Sequence, residues 1–314
     1  MPDAVETAES PENKNEHLRI GVVVPTKGRS ESVAELLKCL QYQTLLPTIV
    51  VFSATGPSDI GMHGDLCREK NVQPFNVKVA FGAPGSSMQR NRGIDLIIND
   101  VDLIAFIDDD IALSKDWLEQ MSRLFVSDRE IVGASGNILR DGSIVGPMTW
   151  QEAHDILAEK ENSPSSLKEA VVISSTAGGH SVFRSEALRE NRFDERLALY
   201  GWLEDKDLSM RVGRKGRLIG CNRAVGVHLG LTRGKVSGTK YGYSQIVNPW
   251  YLKTKGVLST TQSLRFIAQA LAANLYKVVS TNDKIDYRGR FYGNLLGVAE
   301  LVSGQCRPER VIYV

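Results

Sequence analysis

Aliphatic residues over the first 135 positions fall into two alternating patterns. Short unbroken runs form the first: Arg19–Val24 (RIGVVV, closed by Pro25), Thr48–Phe52, Val77–Phe81 and Asp102–Ile107. Runs of this length, rich in β-branched residues, suit strands buried on both faces. Between them lies a different spacing. Val33, Leu36, Leu37 and Leu40 fall at i, i+3, i+4 and i+7, one face of a helix. The spacing predicts a second helix from about Met88 to Ile98. Trp117, Leu118, Met121, Leu124 and Phe125 mark a third, with Ser114 placed to cap it. Strand and helix in alternation predict an α/β layer around a largely parallel sheet.

The pattern weakens over 136–170, where a helix is expected only near 150–160. VVIS at 171–174 is strand-like, a helix is expected to begin near Glu204, and Arg217–Ile219 and Ala224–Val227 read as two short strands. Further on, TQSLRFIAQALAANLYKVV places Leu264, Ile267, Leu271, Leu275 and Val278 along one stripe, with Lys253, Lys255, Arg265 and Lys277 in or near it. Such a stripe predicts packing on the chain's own domain. A position in a membrane interface is the alternative.

Two acidic groups break this pattern. Asp108, Asp109 and Asp110 follow directly on the apolar run Leu103–Ile107, although adjacent like charges repel and an unpartnered buried carboxylate is costly. If the chain stays extended there, Asp108 and Asp110 project to one side and Asp109 to the other. Ligands of open α/β sheets bind outside the carboxyl ends of strands. Two parallel carboxylates in that place make half a site for Mg²⁺ or Mn²⁺. A solvated acidic turn is the competing reading. The second group, Glu204 and Asp205, is explained equally by a helix dipole favouring acids in its first turn and by a general base.

The order of motifs is informative: VVVPTKGR, then GSSMQRNRG, FIDDD, GGHSVFRSEAL and GWLEDKDLSMR. Together they resemble glycosyltransferase family 2, with the GT-A fold, over about residues 19–230. The resemblance implies a Rossmann-like three-layer sandwich with a helical C-terminal extension. It also implies inverting transfer of a sugar from an NDP-sugar, UDP-sugar by default, to a glycan or lipid-linked acceptor in polysaccharide biosynthesis. Pro25, Thr26 and Arg29 then match the first nucleotide-binding turn, and Arg90 and Asn91 the pair that helps hold the donor. Asp108, Asp109 and Asp110 match the DxD motif, with Asp110 the direct ligand of Mn²⁺ or Mg²⁺. Gly178 and Gly179 match the turn near the donor sugar, and Asp205 the base, with Glu204 beside it. His228 matches a metal or diphosphate ligand of some relatives; a structural histidine at a strand end is the alternative. The chain departs from the family pattern at Ser53, where many relatives carry an acid that reads the nucleotide base. The basic loop 231–243, with Arg233, Lys235 and Lys240, reads as a solvated loop or as a lid over the diphosphate. Nucleotidyltransfer to a sugar phosphate fits less well, because VVVPTKGRSES holds one glycine where a glycine-rich loop is expected. A non-catalytic nucleotide-sugar-binding module does not account for intact DDD and ED elements.

Composition narrows the setting. A net charge of +1 over 314 residues gives no global basic field and argues against nucleic acid. Cys39, Cys67, Cys221 and Cys306 form no CxxC pair, which predicts reduced thiols and a cytoplasmic location, with peripheral contact at the inner face of the membrane an option. The polar, acidic residues 1–17 predict a disordered tail. The glycosyltransferase domain is expected over 18–248 and a mainly helical extension over 249–314.

Overall fold

The computed structural model describes residues 18–61, 73–161, 169–231, 236–280 and 285–314. The expected N-terminal tail lies outside them, as do Cys67, Arg233 and Lys235. The chain opens with β1 (Ile20–Pro25), α1 (Ser30–Gln41), β2 (Ile49–Ala54), β3 (Asn76–Phe81) and α2 (Ser86–Ile97). Then come β4 (Leu103–Ile107), β5 (Ile111–Leu113), α3 (Trp117–Ser127), β6 (Ile131–Asp141), the single turn α4 (Gly142–Val145) and α5 (Trp150–Glu161). β7 (Ala170–Val172), β8 (His180–Arg184), α6 (Ser185–Glu190), α7 (Glu204–Val212) and β9 (Arg217–His228) complete the sheet region. Three helices follow: α8 (Gly238–Thr254), α9 (Thr260–Ser280) and α10 (Tyr287–Val302).

One nine-stranded sheet runs β3-β2-β1-β4-β8-β6-β9-β5, with β7 also paired to β9. β1 to β4, β6 and β9 point one way, while β5, β7 and β8 point the other. The sheet is thus parallel across its first four strands and mixed beyond β4. Alternation along the central strands builds two cores. Val22 and Val24 of β1 and Leu103, Ala105 and Ile107 of β4 pack with α1 and α3. Val23, Ile104 and Phe106 face the other way, onto α2, α6 and α7. Helices cover both faces, which is the three-layer arrangement that continuous apolar strands require.

The predicted strands and helices before residue 128 are present within one or two residues. Ser114 does not cap α3: its Oγ donates to Asp116 Oδ1 at 2.8 Å, and the free Leu118 N–H donates to Gln43 Oε1 at 3.0 Å. Three strands, β5, β6 and β8, were not expected. β6 carries Gly133 and Gly136; at Gly133 the missing side chain leaves room for Phe183 and Leu218. The expected short strands at 217–219 and 224–227 are one twelve-residue strand, β9.

The expected face of α9 is rotated. Ser263, Ile267, Ala270 and Asn274 are buried, while Leu264 and Leu275 are exposed. Polar contacts account for the difference. Asn274 Nδ2 donates to Gln245 Oε1 on α8 at 2.7 Å and to Asn294 Oδ1 on α10 at 2.8 Å. Asn294 Nδ2 in turn donates to the Gly242 carbonyl at 2.7 Å. α8 runs unbroken through the expected domain boundary at 248–249, with Pro249 inside it.

Candidate active site

Strand register brings distant residues to one end of the sheet. β4 ends beside β1 on one side and antiparallel β8 on the other. Ile107 pairs with His180, and the next N–H, that of Asp108, donates to the Gly179 carbonyl at 2.9 Å. Ile111 pairs with His228, and His228 also pairs with Asp141 on β6. The three aspartates therefore meet one glycine turn, one histidine and one further carboxylate. The extended alternation expected for the triplet does not persist, because Ile111 N–H donates back to the Asp108 carbonyl at 3.2 Å and turns the chain.

Each aspartate consequently has its own surroundings. Asp109 turns toward β1, where Thr26 Oγ1 donates to it at 2.6 Å and Arg29 Nη1 at 2.7 Å. Burial pushes its carboxyl up to about 7, against the pull of Arg29. Asp110 is also buried, but its carboxyl is held below the usual range. Burial opposes this and is outweighed by His228, by Arg29 at 3.2 Å and by the Leu231 N–H at 3.1 Å. Asp108 is the open one, with 35% of its side chain exposed. Its Oδ1 accepts from Arg90 Nη2 at 2.8 Å. A Cβ on Gly179 would stand 2.4 Å from its Oδ2, so only glycine leaves that carboxylate in place.

Arg90, on the first turns of α2, crosses the floor. One nitrogen reaches Asp108; the other donates to Glu204 Oε1 and, at 2.7 Å, to Ser86 Oγ. Burial disfavours its charge, yet Glu204 and Asp108 outweigh that and raise its pKa. Burial pushes Glu204 up to about 7 despite Arg90, and its Oε2 is buried with no hydrogen-bond partner among the described residues. Asp205, raised likewise by burial, stands on the wall beside Gly178, whose Cβ would lie 3.3 Å from its own. The cleft between these groups has a volume of about 410 Å³ and is also lined by Pro25, Lys27, Tyr200, Trp202 and His228.

Two expected residues lie elsewhere. Ser53 is beneath the floor, its Oγ accepting from Arg92 at 3.1 Å. Asn91 directs both ends of its amide at the 193–195 segment, donating to the Phe193 carbonyl and Glu195 and accepting from the Phe193 N–H, each at 2.9 Å. The sequence reading also missed Gln89. Its Nε2 donates to the carbonyls of Thr26 and Ser53 at 2.8 and 2.6 Å, tying the ends of β1 and β2 to α2. Of the basic loop, Lys240 is described and donates to the Ile312 carbonyl at 2.8 Å.

The model of glycosyl transferase family 2 matches residues 21–192. The chain belongs to glycosyl transferase family 2. Among solved structures, GalNAc-T7 with UDP, GalNAc and Mn²⁺ is similar at 14% identity and TM-score 0.58, over 93% of this chain and 59% of that one. Mannosyltransferase PcManGT from Pyrobaculum calidifontis, with GDP-Man and Mn²⁺, is similar at 14% and TM-score 0.54, over 92% and 87%. TarS 1–349 from S. aureus, in complex with UDP, is similar at 15% and TM-score 0.50, over 92% and 83%. Likeness at such identities is likeness of fold, and it is the GT-A fold. No curated protein matches the chain.

The donors in this family 2 cleft are of the kind a hard divalent cation takes: Asp108 offers an open carboxylate above Gly179, and Asp110 Oδ1 lies 3.4 Å from His228 Nε2. Among the described residues they are not drawn together as a set of three ligands. The ring is aimed by a residue the sequence reading did not single out: Asp141 Oδ1 lies 2.7 Å from His228 Nδ1. Asp141 also accepts from the Ser143 N–H at 2.9 Å, which starts α4. Burial works against the imidazolium, but Asp110 and Asp141 raise its pKa to about 9. A raised histidine adds stability in full below its unfolded pKa and loses it as pH climbs through about 9. In Asp141→Ala, the His228 titration followed by NMR of its ring protons is expected to fall by about one pH unit or more, the usual effect of losing a close opposite charge. An unchanged midpoint would show that Asp141 does not hold the ring.

Proposed function

We propose that this protein transfers a sugar from an NDP-sugar to an acceptor hydroxyl, with inversion at the anomeric carbon. The observation that carries the reading is the opposition, across one cleft, of Asp108, Asp110 and His228 to Glu204 and Asp205, with Arg90 bonded to both sides. Family membership supports the class of reaction. Similar structures hold UDP and GalNAc, or GDP-Man, with Mn²⁺, and one holds UDP; a UDP-sugar is the default donor here. Asp108, Asp110 and His228 would hold Mn²⁺ or Mg²⁺, which supplies Lewis-acid stabilisation of charge on a departing diphosphate. Arg29 and Arg90 offset part of the negative charge of the acidic floor, which eases the approach of an anionic donor. Asp205 takes the proton of the acceptor hydroxyl. It is better placed for this than Glu204, whose Oε1 is committed to Arg90 and Ser86. Burial raises its basicity, and a positioned base contributes about 10²–10⁴-fold. Glu204 Oε2, with its lone pairs unused, can accept from a sugar hydroxyl.

The acceptor is a glycan or lipid-linked oligosaccharide in polysaccharide biosynthesis, and the protein acts in the cytoplasm, touching the inner face of the membrane. Support for that contact comes from α9 and α10. No described helix is long and apolar enough to cross a bilayer. Their outer surface nevertheless exposes Leu264, Leu275, Val279, Leu295 and Val302, and the only charged residues of α9 are Arg265 and Lys277. Apolar side chains flanked by basic ones suit an anionic interface.

Asp205→Asn is expected to leave NDP-sugar binding within about threefold while transfer falls by at least about 10²-fold, and the wild-type linkage is expected to be inverted by NMR. Retained turnover removes Asp205 from the role. Asp110→Ala is expected to abolish the Mn²⁺-dependent thermal shift given by a panel of NDP-sugars; an unaltered shift contradicts its place at the metal. Vesicles containing phosphatidylserine should sediment the protein and neutral vesicles should not; equal behaviour counts against membrane contact.

A further inference from the structure

The segment joining α6 to α7 has an unusual backbone. Leu199 and Leu203 are the non-glycine residues with left-handed φ among those described, at 59° and 72°, and Gly201 between them has φ 62°. A Cβ at Gly201 would lie 2.8 Å from the Leu197 carbonyl and 3.0 Å from Glu204 Cγ. Both leucines turn inward. Leu199 packs on Tyr243, Val247 and Val311, and Leu203 on Leu197, Leu252 and Val257. The whole segment borders the cleft, and the residues between them, Tyr200 and Trp202, bring aromatic rings to its lining. Left-handed conformations at bulky residues persist only where surrounding packing holds them, and they cluster at ligand-binding segments.

Both rings are braced by the C-terminal helices. Trp202 meets Phe266 of α9 edge-on, with centroids 5.8 Å apart and planes at 88°, and Asn248 of α8 donates to its carbonyl at 2.8 Å. Tyr200 lies 5.3 Å from Tyr241 of α8. Behind Tyr241 the Arg290 guanidinium of α10 sits 4.3 Å from the ring. Tyr200 remains 49% exposed, and Trp202 is partly exposed. Two amphipathic rings, fixed from behind and open in front, therefore stand within five residues of Asp205. A pyranose presents a face of C–H bonds that is apolar and weakly electropositive, and an aromatic ring offers the complementary electron-rich face. A simple alcohol or an amino-acid hydroxyl has no such face.

We infer that Tyr200 and Trp202 form an aromatic subsite that selects a sugar as the acceptor, and that α8 to α10 serve the enzyme by holding these rings beside the base. The inference rests on the reading of the cleft as a glycosyltransferase site. Phe266 and Tyr241 act through the two rings and are positioning residues.

The test uses the full chain, Mn²⁺, the NDP-sugar hydrolysed fastest from a panel, and p-nitrophenyl glycosides beside simple alcohols as acceptors. A glycoside is expected to be glycosylated and the alcohols not. Tyr200→Ala and Trp202→Ala should each raise the glycoside KM at least tenfold while donor KM stays within twofold; Tyr200→Phe, which keeps the ring, should restore it. Phe266→Ala should raise glycoside KM with kcat less affected. Tyr276→Ala, on the outer surface of α9, should change neither KM. Equal use of alcohols, no glycoside accepted, an unmoved glycoside KM, or a rise in donor KM instead would each overturn the aromatic subsite. Failure to hydrolyse any NDP-sugar would overturn the reading of the whole cleft, and this inference with it.

Discussion

A buried guanidinium bonded to two carboxylates is the contact on which this structure depends. Arg90 joins Asp108, at the end of β4, to Glu204, at the start of α7. Its side chain is 4% exposed and that of Glu204 8%, so neither charge is relieved by water. Removing one partner of such a pair leaves the other charge buried and uncompensated, a cost of about 3–5 kcal/mol. Arg29 serves the other two aspartates in the same way. Three consecutive acids are tolerated because two arginines and a histidine, from three different elements, meet them.

The first half of the fold is legible in the sequence because its strands are buried on both faces and its helices on one. Each gives an unambiguous period, and β1 to β4 and α1 to α3 follow from it. Legibility fails where small or polar residues carry the packing. Gly133 disguised β6, and Asn274 and Asn294 turned α9 so that Ser263 and Asn274 join Ile267 and Ala270 on the buried face while Leu264 and Leu275 point outward. The site shows the same division. Asp108, Asp110, Glu204, Asp205, Arg90 and Gly179 are motif residues, and the structure gathers them. Asn91 and Ser53 stand in motif positions, yet their side chains serve the scaffold. Asp141 and Gln89 had no signal in the linear sequence, since what matters about them is a strand register and a pair of carbonyls.

The helical extension is bound to the sheet by charge as well as by apolar contact. Asp207, wholly buried in α7, pairs with Arg211 at 2.7 Å and with Lys255 at 2.8 Å. Lys255 also reaches Asp194 at 2.7 Å, as does the Tyr251 hydroxyl. α7 is therefore held from both sides: Arg90 grips its first residue, and Lys255 grips its fourth, Asp207, from the end of α8. A shift of the extension would be felt at Asp205, which lies between.

The place of β8 bears on how the chain comes to be made. β4 lies at the centre of the sheet, but one of its edges is covered by β8, which is synthesised some seventy residues later. During that interval on the ribosome, the parallel unit β1 to β4 has its helices and an apolar edge with unmatched N–H and C=O groups. Such an edge is a template for pairing with another chain, and non-local pairings form slowly. Nascent chains halted between residues 108 and 180 would be the species most in need of chaperone cover, and the insertion of one short antiparallel strand ends that exposure.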